Sequence, residues 1–159
     1  YCAGGGGKAL ALAARGWDVT AHDADPARMT DLPNRAQRGG HTITVTEAPE
    51  GTFDAVLCDA PCSGSGTWRR TPEAKWRLAP ERLTELTALQ VDIMARAQTH
   101  VAPGGALYYA TCSVLTRENA DTVARFCAAH TDWALDQAWT WPVDDDGDGF
   151  FFARLKRSD

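Results

Sequence analysis

Along the chain, short runs of apolar residues alternate with stretches whose apolar positions recur three and four apart. "FDAVLCD" (53–59) and "GALYYAT" (105–111) are nearly continuous apolar runs, the pattern of parallel strands covered on both faces. "WDVTAHD" (17–23) and "HTITVTE" (41–47) cluster β-branched residues and predict two further strands. After four glycines at 4–7, "KALALAARG" predicts a helix that stops at Gly16. Asp25-Pro26 predicts the cap and first turn of a second helix, and Pro33 its early end. From Pro80 to about Val101, Leu83, Leu86, Leu89, Ile93, Ala97 and Val101 mark one face of a long helix, read as core. Pro103-Gly104-Gly105 predicts a turn, and Thr116 the cap of a helix carrying Val123, Phe126 and Cys127. "WALDQAW" (133–139) and "GFFFARLKR" (149–157), with Phe150 to Phe152 in the core, predict a closing pair of strands. The alternation predicts a doubly wound α/β sheet, in which ligands bind beyond the carboxyl ends of the strands. Gly4 to Gly7, Asp23, Asp59 to Cys62 and Thr111 to Ser113 fall at such ends, so one crevice is expected to gather them.

With 159 residues, 44% of them hydrophobic, the chain is expected to form one domain, 1–159. No run approaches the roughly 20 apolar residues of a membrane span, and no basic-then-apolar signal segment opens the chain, so a cytoplasmic protein is expected. Five cysteines at irregular spacing predict reduced thiols rather than a disulfide framework. A net charge of -5 argues against phosphate binding by the molecule as a whole. The distribution changes that picture: Arg69, Arg70, Lys75, Arg77 and Arg82 cluster around Trp68 and Trp76, while acids collect in "DDDGD" at 144–148. Such a run most often means a solvated face with ordinary ion pairs; the sharper reading is an RNA-binding patch. Trp76 is expected to pack against the body, and Trp68 either packs or stacks on an extruded base.

The glycine run alone opens many helices for steric reasons. Asp23 adds an acid at a strand end, where ribose hydroxyls are held in nucleotide-binding sheets. Lys8 is followed by Ala9 rather than Ser or Thr, so the Walker phosphate loop fails, and a dinucleotide fingerprint fits poorly. A nucleoside-bearing cofactor without phosphates remains, with S-adenosyl-methionine the obvious candidate. Cys58 and Cys62 lack a second pair or a suitably spaced histidine among His22, His41, His100 and His130, so no metal is expected. Cys58 and Cys127 read as small buried hydrophobes. Cys2 either lines the cofactor or packs, and the residues alone leave Cys62 and Cys112 equally structural or reactive.

"CAGGGGK" (2–8), "DAPCSGSGTWRR" (59–70), "KWR" (75–77), "YATCSVLTREN" (109–119) and "DGFFFARL" (148–155) together resemble the Sun (Fmu) family of RNA cytosine-5 methyltransferases, over nearly the whole chain. The resemblance implies a Rossmann-like class I methyltransferase domain, mostly parallel with an antiparallel final strand, using S-adenosyl-methionine to make 5-methylcytosine in ribosomal or transfer RNA. Carbon 5 of cytosine is a poor nucleophile until a thiolate adds to carbon 6, so a covalent intermediate is needed. The resemblance makes Cys112 that nucleophile, Cys62 the cysteine that assists breakdown of the adduct, and Asp59 the acid at the cytosine edge. Lys8 is read as positive charge that helps keep a thiol ionised. Cys2, Ala3, Gly4, Gly5, Gly6, Gly7, Lys8, Asp23, Arg28, Glu47, Asp59 and Pro61 are implied in cofactor binding, and Trp68, Arg69, Arg70, Lys75 and Arg77 in RNA binding.

Three departures accompany the resemblance. A glycine at 5 or 6 stands where most members have proline, and Glu47 is the only acid near the expected adenine position. The central strand that precedes "YCAG" in the family, with the RNA-binding segment upstream of it, is expected to be missing, so the chain reads as an N-terminally truncated catalytic domain. A monomer with RNA as partner, and neither membrane nor metal, is expected. The rival readings are an amino-group methyltransferase of the same fold, which needs no covalent thiol, and an RNA-binding module without turnover.

Overall fold

The computed structural model of the protein describes residues 1–158, and the chain divides into two compact units that meet in sequence at Gly51 and Thr52. In the first unit, helix α1 (Gly7–Ala13) leads into strand β1 (Thr20–His22), which pairs in parallel with β2 (Thr44–Thr46). Ala9, Val19, Ala21, Met29 and Leu32 form its core, with Leu10, Ile43 and Val45 packed against it. Both strands are shorter than the β-branched runs predict. The second predicted helix is split: a 3-10 turn, Pro26–Met29, is capped by the Asp25 side chain accepting from Ala27 N, and helix α2 (Leu32–Arg38) follows. Pro33 therefore opens a helix instead of ending one, because in the first turn its missing N–H leaves no hydrogen bond unmade.

The second unit holds a four-stranded sheet in the order β3-β4-β6-β5. β3 (Phe53–Asp59) and β4 (Val101–Thr111) are parallel, while β6 (Phe150–Arg157) runs antiparallel to both β4 and β5 (Trp133–Trp141). A short helix α3 (Ala74–Arg77) and a long one, α4 (Pro80–Ala97), link β3 to β4, and α5 (Ala120–Ala129) links β4 to β5. Val101 belongs to β4 rather than to the helix, and Pro103-Gly104-Gly105 lie within that strand, between Val101 and Ala106, where the register with β3 shifts. The buried face of α4 is Leu86, Thr87, Gln90, Ile93, Met94 and Ala97; Leu89, predicted for that face, is 42% exposed. Asn119, not Thr116, precedes α5, since 116–118 form a 3-10 turn of their own.

Tyr109, Leu107, Phe126, Met94 and Leu155 are fully buried and mark the centre of the second core, with Cys58 equally inaccessible. Cys127 is only half-buried. Along β6, Phe151 faces the core, Phe152 is half-buried and stacks on Tyr108, and Phe150 is exposed, as strand alternation dictates. Among the described residues, no helix is long and apolar enough to cross a membrane, and no group of three His, Cys, Asp or Glu side chains could hold a metal ion.

Candidate active site

In the first unit the glycine run and Asp23 are bound to each other. Asp23, 3% exposed, follows β1 and accepts from Gly4 N (2.7 Å) and from Arg28 (3.4 Å) on Oδ2, and from Asp25 N (3.0 Å) on Oδ1. A carboxylate oxygen has two acceptor directions, so Oδ1 keeps one open to a hydroxyl donor. Gly4 and Gly6 both hold positive φ, the region glycine enters without a Cβ clash. A Cβ on Gly6 would also strike the Leu32 side chain, so that glycine is required by packing. Gly7 faces open space. Cys2, half-buried, has φ 60, and Lys8 on α1 is exposed. Glu47 is exposed just beyond β2.

The second unit brings the two "APCS" and "ATCS" loops together. β3 ends at Asp59, half-buried, and the parallel register with β4 continues through Ala60 N donating to Ala110 O (3.1 Å). Both strands thus deliver their following loops to the same end of the sheet. Cys62 Sγ and Cys112 Sγ lie 3.4 Å apart, hydrogen-bonded and half-buried. The Cys62 thiol is pushed well above the usual range, first by its hydrogen bond to Cys112 and then by burial and by negative charge on Cys112 and Glu118; a backbone hydrogen bond at Gly64 opposes this. Either sulfur can donate in this contact, and the shift favours the protonated form of Cys62.

Glycines make the approach possible. Gly66 N donates to Cys112 O (2.9 Å) while Gly149 N donates to Gly66 O (2.9 Å), which ties the cysteine loop to the start of β6. A Cβ on Gly66 would fall onto the Gly149 carbonyl. A polar cluster surrounds the loops. Ser65 and Ser113 hydroxyls are 2.9 Å apart, Thr111 Oγ1 donates to Asn119 Oδ1 (2.7 Å), and Asn119 Nδ2 donates to Ser113 O (2.8 Å). Glu118, fully buried, and Gln90 complete it, and Gln90 Nε2 also donates to Pro61 O (3.0 Å). Sequence reasoning placed Ser113 at a strand end but did not single out Glu118, Gln90, Ser63 or Ser65. Their signal was present only as a serine directly after each cysteine.

The segment from Trp68 to Arg77 departs from a simple basic patch. Arg69 Nε and Arg70 Nη2 each lie 2.6 Å from the carboxylate of buried Asp148, an acid from the run that the sequence sets apart from these arginines. Trp68 is half-buried and donates from Nε1 to Ser63 O (3.3 Å). Trp76 does not pack against the body: it is 81% exposed, with Lys75 Nζ 4.7 Å from its ring centroid. A four-residue helix gives it no partner face to reach. Arg77 is exposed.

The family description "16S rRNA methyltransferase RsmB/F" matches residues 1–156. Ribosomal RNA small subunit methyltransferase B of Salmonella paratyphi B is 36% identical over 173 aligned positions, covering 97% of this chain and 40% of that protein. The same enzyme of Salmonella newport matches equally, so the chain spans about 40% of the length of these curated relatives. The crystal structure of PH0851 superposes with a TM-score of 0.79 at 31% identity, over 88% of this chain and 37% of the other. NSun6 from Pyrococcus horikoshii with SFG gives 0.83 at 19% identity, over 98% and 46%, and supports the fold alone. The parallel β3–β4 pair, the antiparallel final strands and the match from end to end agree: this chain belongs to the RsmB/F (Sun) family, with that family's Rossmann-like methyltransferase fold.

Proposed function

We propose that the protein is an RNA cytosine-5 methyltransferase in which Cys112 attacks and Cys62 helps to release. Residues 1–159 are read together as its catalytic domain, cytoplasmic, acting as a monomer on ribosomal RNA in keeping with the named relatives. The observation that carries this reading is the 3.4 Å separation of the two sulfurs at the ends of adjacent parallel strands. A thiol beside a second thiol fits a covalent cytosine mechanism in which one sulfur adds to the base and the other assists release, and an amino-group transfer has no use for either.

Asp23, Arg28 and the loop from Cys2 to Lys8 hold the cofactor in this reading, with Glu47, Asp59 and Pro61 contributing; the open acceptor direction on Asp23 Oδ1 fits a ribose hydroxyl. When bound, S-adenosyl-methionine supplies an electrophilic methyl group for carbon 5. The Cys112 thiolate adds to carbon 6 of the base, and the electron pair displaced from the ring double bond makes carbon 5 nucleophilic. Asp59 hydrogen-bonds the edge of the base near N3 and the amino group, stabilising the adduct as charge shifts there. Once Cys112 Sγ is bonded to carbon it is an uncharged, weak acceptor, so the hydrogen bond that is the largest cause holding the proton on Cys62 is weakened and the charge of Cys112 is gone. Cys62 then loses that proton to water and takes the one on carbon 5. The carbon–sulfur bond breaks, restoring the ring double bond and the Cys112 thiolate. Trp68, Lys75 and Arg77 remain for RNA contact; Arg69 and Arg70 are engaged with Asp148.

RNA containing 5-fluorocytidine tests this, because fluorine on carbon 5 cannot leave as a proton does. With S-adenosyl-methionine the expected product is a protein–RNA adduct that survives denaturation and is lost in Cys112→Ala. RNA binding and methyl transfer without any adduct would point to the amino-group reaction, and RNA binding without cofactor binding to a module that has no turnover.

A further inference from the structure

The residues that follow the two cysteines, Ser63 and Ser113, share one partner. Glu118 lies at the end of the 3-10 turn after the Cys112 loop and is fully buried. Its Oε1 accepts from Ser63 N (2.8 Å) and Gln90 Nε2 (3.1 Å), and its Oε2 from Ser63 Oγ (2.5 Å) and Ser113 Oγ (2.6 Å). Four donors fill the carboxylate's acceptor directions, so the group is satisfied with no place left for solvent. Gln90 in turn fixes Pro61 O, one residue before Cys62, and its Oε1 accepts from Thr122 on α5 (3.3 Å). The Glu118 carbonyl is itself pinned by the buried Tyr109 hydroxyl (2.6 Å).

We propose that Glu118 is a positioning residue, a carboxylate clamp that binds the residue after each cysteine and so sets the distance between Cys62 and Cys112. The purpose of that distance rests on the reading under Proposed function; the clamp itself does not. Glu118 hydrogen-bonds to the residue after each cysteine. It acts by holding Ser63 and Ser113 on one pair of oxygens, and a buried carboxylate bound by four donors is a stiff joint.

The test measures the separation of the thiols without RNA or cofactor. Protein equilibrated with glutathione and glutathione disulfide forms a mixed disulfide on one cysteine, which the other cysteine then displaces, releasing glutathione. The ratio of internal to mixed disulfide at a fixed glutathione concentration gives the effective concentration of one thiol at the other. Glu118→Ala is expected to lower that concentration by about ten-fold or more, and Glu118→Gln to restore most of it. The glutamine oxygen can keep the Ser63 N and Gln90 bonds, and its amide can donate to serine hydroxyls that turn round. Should Glu118→Ala not fold, Ser63→Ala and Ser113→Ala each remove one donor and are expected to lower the value by about three-fold or more. An unchanged value in the Ala variants, or Gln as deficient as Ala, overturns the clamp. A wild-type protein with a high effective concentration that forms no 5-fluorocytidine adduct would refute the proposed reaction and leave the clamp standing.

Discussion

The Cys62 thiol is pushed up first by its hydrogen bond to Cys112, then by burial and by the charge that Cys112 would carry as a thiolate. Replacing Cys112 by alanine removes the first and third of the causes that push Cys62 up, so its thiol is expected to ionise at lower pH than in the wild type. Alkylation by iodoacetamide, followed at Cys62 by mass spectrometry across pH, should shift toward acid in Cys112→Ala. Cys127, raised by burial alone, should keep its profile and serve as the internal control. At this scale the two cysteines and Asp23 were legible because motif and strand end coincide. Glu118 was not, since a glutamate in "LTREN" reads as a surface residue near a helix start until the fold turns it inward. Arg69 and Arg70 show the reverse: nothing in their neighbourhood signals Asp148, 79 positions from Arg69.

Elements were legible in type and less so in detail. The stripe on α4 has the right period, yet Gln90 is buried where Leu89 was expected. A polar residue is admitted to that face because Pro61, Glu118 and Thr122 satisfy its amide completely, a reason held in three other elements. Pro33 misled for a related reason: proline stops a helix or opens one according to where the first turn falls, and that is fixed by Leu32 reaching the core. The joint between the Cys62 loop and β6 depends on two glycines in backbone contact. Gly66→Ala is expected to cost at least about 2 kcal/mol, because the obstruction is a carbonyl that cannot swing away as a side chain can. A fall in the urea midpoint, with loss of the 5-fluorocytidine adduct, would check it. If Gly66→Ala were as stable as wild type, the loop would have to accommodate a contact that the geometry forbids.

For the molecule as a whole, the alternation of strands and helices revealed the fold class, and the runs of apolar residues located the parallel pair. The pairing of the strands into a two-stranded and a four-stranded sheet was less legible, because apolar pattern reports that a strand is buried and not which strand it joins. The charge average of -5 is silent in the same way, since it does not report that Arg69 and Arg70 are paired with Asp148. The boundary at Gly51 and Thr52 has a practical outcome for anyone dissecting the protein. Residues 47–52 are mostly exposed and lie outside any helix or strand until Phe53, with Gly51 at φ 75, so a protease needs little unfolding to reach them. Limited digestion is expected to nick this stretch first. The larger product would begin near Thr52 and carry Cys62, Cys112, Glu118, Gln90 and Asp148 on one piece. Glutathione equilibration of that piece should give the same thiol pairing as the intact chain, so the sulfur chemistry can be dissected with a minimal reagent while the glycine loop is changed separately.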